Sequence, residues 1–170
     1  MRVAVAGNWV TVPAKSSAEL SQRLERARWI ATGSKSNARV VYVFVDPNCP
    51  FCNDLWKALK AARAPDVQVR YLLVAVISSD SRGKDAAILE SSDPAAMLEE
   101  QERTFSNGGL APKPIGQRAT GEAISVNEAL MDVLHIYGTP GLVYLDEHNE
   151  LKVFGGMPDV GQLRTIVGKR

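Results

Sequence analysis

Val40-Val41-Tyr42-Val43-Phe44-Val45-Asp46-Pro47-Asn48-Cys49-Pro50-Phe51-Cys52 is the stretch from which the fold follows. Six consecutive β-branched or aromatic residues describe a strand covered on both faces, because a strand with one wet face alternates apolar and polar positions. Asp46-Pro47-Asn48 ends it, and a helix opens at once. Cys49 takes the N-cap position, and Pro50 the first helical position, where its missing N–H costs nothing. Phe51, Leu55, Ala58, Leu59 and Ala62 then share one face until Pro65 stops the helix. Lys57, Lys60 and Arg63 crowd its far half, where cations suit the helix dipole. Residues 67–77 read as a second apolar strand, completing a strand–helix–strand unit.

Upstream lies an apolar opening with Trp9 and Val10. Next, Ser16 with Glu19 forms a capping box, and Leu20, Leu24, Ala27 and Ala31 recur at helical spacing, so residues 16–30 are expected to be a helix, followed by a turn at 33–37. Downstream, a helical insertion is expected over about 79–137. It comprises an alanine-rich piece at 84–90, a helix capped by Asp93 with Pro94 at its start and running to Asn107-Gly108-Gly109, a loop at 110–122, and a helix opened by a second box, Ser125 with Glu128, and ended by Gly138. A hairpin of strands at 142–145 and 151–154 turns through 146–149, and a last helix starts near Pro158. This order gives an α/β architecture, a mixed sheet flanked by helices. Residues 1–32 separate as a leader and N-terminal helix from a main domain at 33–170.

Composition narrows the function classes. The chain has 170 residues, 45% of them hydrophobic, with 20 Lys and Arg against 19 Asp and Glu. Such a chain buries a sufficient core by packing alone. A net charge of +1 with scattered cations gives no field for nucleic acid or an anionic membrane. No apolar run approaches the roughly 18 residues that span a bilayer, and residues 1–7 are too short an apolar stretch for a secretory signal.

The two cysteines, the only ones in the chain, carry the chemistry. At the first turn of a helix, unpaired N–H groups and the positive end of the dipole favour an anion, so Cys49 is expected to hold a thiolate. Cys52, one turn along, is placed to attack a mixed disulfide formed on Cys49 and release the product. Pro50 and Phe51 tune that thiolate without adding charge, and Phe51 offers an apolar face to unfolded substrates. As a staple, the pair would close a loop worth only about 2 kcal/mol, which a chain of this length does not need. As half of a zinc site it lacks partners: His135 and His148 do not have the close spacing of a ligand pair, and read as a helix-face residue and a turn residue. No metal site is expected.

Joined to this unit, Gly138-Thr139-Pro140-Gly141 before the hairpin matches the cis-proline loop of the thioredoxin fold, where exposed backbone groups can pair with an extended substrate segment. From about Arg28 onward the chain resembles the catalytic domain of the periplasmic DsbC/DsbG disulfide isomerases, the DsbG branch above all. The resemblance rests on residues 41–52, Leu72-Leu73-Val74-Ala75-Val76-Ile77, Ala86-Ala87-Ile88-Leu89, Ser92-Asp93-Pro94-Ala95, Leu130-Met131-Asp132, Thr139-Pro140 and Gly156-Met157-Pro158-Asp159. It implies a thioredoxin fold with Cys49 attacking, Cys52 resolving, Pro140 as cis-proline and Thr139 before it, where Thr is unlike the Val of the oxidase DsbA. It also implies a periplasmic location, unfolded or misoxidised periplasmic proteins as substrates, a DsbD-like membrane reductant, and no cofactor beyond the redox-active Cys49–Cys52 disulfide. Phe51 departs from the tyrosine of the DsbG branch. The family's N-terminal dimerisation domain has no counterpart here, so residues 1–32 read as the remnant of a linker and the chain as a monomer. Two further readings stay open: net dithiol oxidation in the manner of DsbA, and a redox-inactive peptide-binding module.

Overall fold

The computed structural model describes residues 7–35, 39–62 and 64–168. Strand β3 (Arg39–Val45) is the hub. It pairs in parallel with β4 (Val67–Leu73), Arg39 opposite Val67 and Val45 opposite Leu73, and antiparallel with β5 (Gly141–Leu145). Strand β6 (Leu151–Gly155) pairs with β5, and the edges are β1 (Asn8–Thr11) on β6 and β2 (Ile30–Gly33) on β4. The described strands therefore run β1-β6-β5-β3-β4-β2. Among the described strands only β3 and β4 are parallel, and a parallel pair needs a crossover, which α2 (Pro50–Ala62) supplies.

The unbroken apolar run of β3 has the expected consequence. Val41, Val43 and Val45 face one core with Cys49, Cys52, Leu55, Leu73, Leu98 and Ile166, while Tyr42 and Phe44 face a second core with Leu20, Leu24, Leu72, Leu130 and Met131. Helices α2, α4 (Pro94–Arg103) and α6 (Val160–Val167) line the first, and α1 (Ala14–Arg26) the second. Helix α5 (Arg118–Val133) supplies both, Ile124 to one and Leu130 to the other. This is the thioredoxin fold expected, with α3 (Ser81–Leu89), α4 and α5 as the insertion between β4 and the hairpin. No helix among the described residues is long and apolar enough to cross a membrane.

Several element boundaries differ from expectation, each for a tertiary reason. Helix α1 is not opened by a Ser16 box: it starts at Ala14, behind Pro13, with no side-chain cap. Its serine of consequence is Ser17, whose hydroxyl donates to Val12 O at 2.9 Å and accepts the Leu151 N–H at 3.0 Å, tying helix to sheet. The helix ends at Arg26, and Ile30 and Ala31 belong to edge strand β2, drawn out by pairing with Tyr71 and Arg70. Strand β4 ends at Leu73 because the next amides are taken elsewhere: Ala75 N–H donates to the Glu128 carboxylate, and Val76 and Ile77 N–H to Asp46. Helix α5 starts seven residues before the expected Ser125–Glu128 box, since Glu128 is engaged with Ala75 and the Ser125 hydroxyl bonds back to Gly121 O. It ends at Val133, so His135 sits past it at φ 55° and not on its face. The Asp93 cap is as expected, accepting Ala96 N–H at 3.0 Å; α4 stops at Arg103 and a single 3-10 turn (Phe105–Asn107) completes the segment. The last helix starts near Pro158 as expected, at Val160, capped by Asp159 in a box with Gln162. The leader at residues 1–6, Arg63, and part of the turn expected at 33–37 lie outside the described residues.

Candidate active site at the mouth of helix α2

Cys49 caps α2 with its own sulfur. Its N–H donates to Asp46 O at 3.0 Å, its carbonyl accepts the Asn53 N–H, and its Sγ accepts the Cys52 N–H at 3.2 Å, one of the donors a helix start leaves unpaired. Pro50 and Phe51 lie at the surface, Phe51 45% exposed, while Cys49 and Cys52 are 2% and 1% exposed. Both sulfurs are free thiols.

Across from them the Thr139-Pro140 bond is cis. Thr139 O lies 3.4 Å from Cys49 Sγ, and Pro140 O accepts the Gly156 N–H at 2.8 Å, fastening this loop to the end of β6. Gly141 follows because a Cβ there would meet Ile136 at 2.5 Å. The Thr139 hydroxyl is buried, makes no hydrogen bond among the described residues, and lies close enough to favour negative charge on the two sulfurs. The structure thus gathers Cys49, Cys52, Thr139 and Pro140 into one site, with Pro50 and Phe51 on its rim.

The two thiols are pushed apart. Cys49 is held below the ordinary thiol range, first by the Cys52 thiol donating to it, then by the Thr139 hydroxyl and the Cys52 N–H, against its own burial and the Asp46 carboxylate. Cys52 is driven well above that range, first by burial and then by the neighbouring Cys49. Of the two thiols, Cys49 is therefore the more readily ionised and Cys52 the one that keeps its proton.

Sequence reading missed the supports of this site. Asp46 is fully buried, and its carboxylate accepts from Asn48 N–H, Ser81 hydroxyl, Val76 N–H and Ile77 N–H at 2.7–2.9 Å. It joins the strand end, the start of α2, the β4 extension and α3. Asn53, next to Cys52, donates through its amide to both the carbonyl and the carboxylate of Glu102 on α4 at 2.7 Å. Burial lifts that Glu102 carboxyl to about 7. The one signal available was Asp46-Pro47-Asn48 as a side-chain-closed turn; the donors from residues 76, 77 and 81 are thirty or more positions away.

Residues 29–169 match the family model of the thioredoxin-like domain. The chain belongs to that family. Within it, the chain is 35% identical over 153 residues to the thiol:disulfide interchange protein DsbG of Pseudomonas aeruginosa, covering 89% of this chain and 60% of that one. It is also 35% identical to DsbG of Escherichia coli K12, over 92% of this chain and 64% of that one. The DsbG-type resemblance read from the motifs is borne out, and this thioredoxin-like chain spans about three-fifths of the length of those relatives. Among solved structures, ScsC of Proteus mirabilis superposes with a TM-score of 0.71 at 23% identity, over 91% of this chain and 77% of that one, a likeness of fold.

Proposed function

We propose that this chain is a thiol–disulfide oxidoreductase of the DsbG/DsbC type that reduces or isomerises disulfides, or protects thiols, in periplasmic proteins. The observation that carries the reading is the asymmetry of the pair: Cys49 Sγ accepts the Cys52 N–H at the mouth of α2, with the Thr139 carbonyl 3.4 Å away and Cys52 buried beneath. The Cys49 thiolate attacks one sulfur of a substrate disulfide. A Cys49–substrate S–S bond forms, the substrate S–S bond breaks, and the first substrate thiolate leaves. Cys52 then loses its proton and attacks Cys49 Sγ, releasing the second thiolate and leaving a Cys49–Cys52 disulfide; the substrate has gained the two electrons that the dithiol lost. That disulfide is the redox group, no other cofactor taking part, and a DsbD-like membrane reductant restores the dithiol. Phe51, Thr139 and Pro140 hold the substrate segment, and Pro50 tunes the turn.

Reduction and reshuffling of a scrambled disulfide substrate test this. Cys49→Ala is expected to abolish exchange and Cys52→Ala to accumulate a mixed disulfide on Cys49. Undiminished exchange by Cys49→Ala ends the proposal, and a pair found mostly oxidised in cells turns it toward net oxidation.

A further inference from the structure

Two buried side chains of the insertion end on the turn that carries Cys49. From α4, the Gln101 amide donates to Pro47 O and accepts the Leu110 N–H, both at 2.8 Å. From α3, Lys84 Nζ donates to Asn48 Oδ1 at 2.8 Å and Gly108 O at 2.7 Å, with the Asp80 carboxylate 3.9 Å away. Asn48 is fully committed: its amide NH₂ donates to Asp80 Oδ1 at 2.8 Å and Ser81 Oγ at 2.9 Å, and its backbone N–H to Asp46 Oδ1. The next residue is Cys49.

A neutral amide is enough to tether a loop, as Gln101 does for Pro47. A lysine in that place costs desolvation of an ammonium and the rotamer freedom of a long side chain, and what it adds is charge. Among the described residues Lys84 is the one lysine or arginine that is buried, its side chain 7% exposed. The charged groups facing the same turn are carboxylates, Asp46 inside it and Asp80 at its rim. A thiolate forming at Cys49 would add a third negative charge.

We propose that Lys84 is a positioning residue for the nucleophile: through Asn48 it fixes the turn that sets Cys49 at the mouth of α2, and its charge offsets the carboxylates of Asp46 and Asp80 beside the forming thiolate. The inference deepens the exchange reading above and rests on Cys49 being the nucleophile. The insertion then helps set the chemistry from behind the site.

The experiment compares the wild-type chain with Lys84→Met, Lys84→Gln and Lys84→Arg. It reads the pH profile of Cys49 thiolate absorbance and alkylation, and the dithiol–disulfide equilibrium against glutathione. Without the charge, alkylation below the profile's midpoint is expected to slow roughly three- to tenfold and the midpoint to rise. The equilibrium is expected to move by a similar factor toward the disulfide, because the reduced form has lost its support. Lys84→Arg is expected to keep most of the wild-type profile. If Lys84→Met fails to fold, Lys84→Gln, which retains a donor, decides; Asn48→Ala cuts the same link from the other end and is expected to shift the profile in the same direction. Folded Lys84→Gln and Asn48→Ala variants with wild-type profiles and equilibria overturn the inference. A wild-type chain that does not exchange with glutathione disulfide overturns the exchange reading instead.

Discussion

Cys49 and Cys52 carry the same functional group one helical turn apart and both are buried, yet the Cys49 sulfur accepts the Cys52 N–H of the helix start while burial holds the proton on Cys52, and under the proposed exchange that difference orders their reaction. In the reduced protein, thiolate absorbance is expected to show one titration below the roughly 8.5 of a free thiol, with Cys52 silent through the ordinary range. Two equal, unperturbed titrations would contradict it. Two carboxyls add a stability signature. Asp85 is fully buried with neither oxygen hydrogen-bonded among the described residues, and burial, then Asp46 and Glu128, push its acid well above the usual range. The folded state thus keeps a proton that the unfolded chain releases, and stability falls as pH rises through the ordinary carboxylate range and on toward the folded value. Asp85→Asn, which cannot ionise, is expected to flatten that pH dependence in urea melts. Glu102, lifted to about 7, acts in the same sense up to that pH, and Glu102→Gln keeps the Asn53 bond while removing the loss. The cysteines and Pro140 were legible because their spacing is local. Asp46, Glu102 and Lys84 were not, because what buries and pairs them comes from 30–50 positions away in the sequence.

Helices and strands were read best where the pattern is dense and worst where caps decided the boundary. The β3 run and the Asp93 cap needed no outside information. The Ser16–Glu19 and Ser125–Glu128 boxes had the right residues at the right spacing, but Glu128 takes the Ala75 N–H across the fold, and α1 already starts at Ala14, ahead of Ser16, with the neighbouring Ser17 taking the Leu151 N–H. Ser17 makes a test at this scale. Ser17→Ala leaves the buried Leu151 N–H without an acceptor and is expected to cost about 1–3 kcal/mol in chemical denaturation, against a few tenths for Ser16→Ala, whose side chain caps nothing. Helix α1 is further pinned by Glu25, which meets Arg70 and Tyr42, while the Arg70 guanidinium stacks 4.1 Å from the Trp29 ring.

Across the whole molecule the sheet grades from a fully covered centre to exposed edges. Native-state hydrogen exchange is expected to be slowest for β3 and its pairs with β4 and β5, and fastest for β1 and β2, whose outer edges have no neighbouring strand among the described residues. Equal protection across β1 and β3 would contradict that order. The two edge strands also show where sequence ran short: β1 and β2 are four residues each, too brief for a period to register, and they extend because β6 and β4 offer an edge to pair with. By itself the sequence determined the strand–helix–strand unit, the cysteine pair at a helix start, the proline loop before the hairpin, and so the α/β class and the exchange chemistry proposed for it, all set by contacts within a few residues. Only the tertiary structure decided which sulfur takes the helix-start N–H, which carboxyls burial pushes up and that a lysine of the insertion reaches the turn before Cys49, because desolvation and charge pairing depend on what the folded chain places around each group.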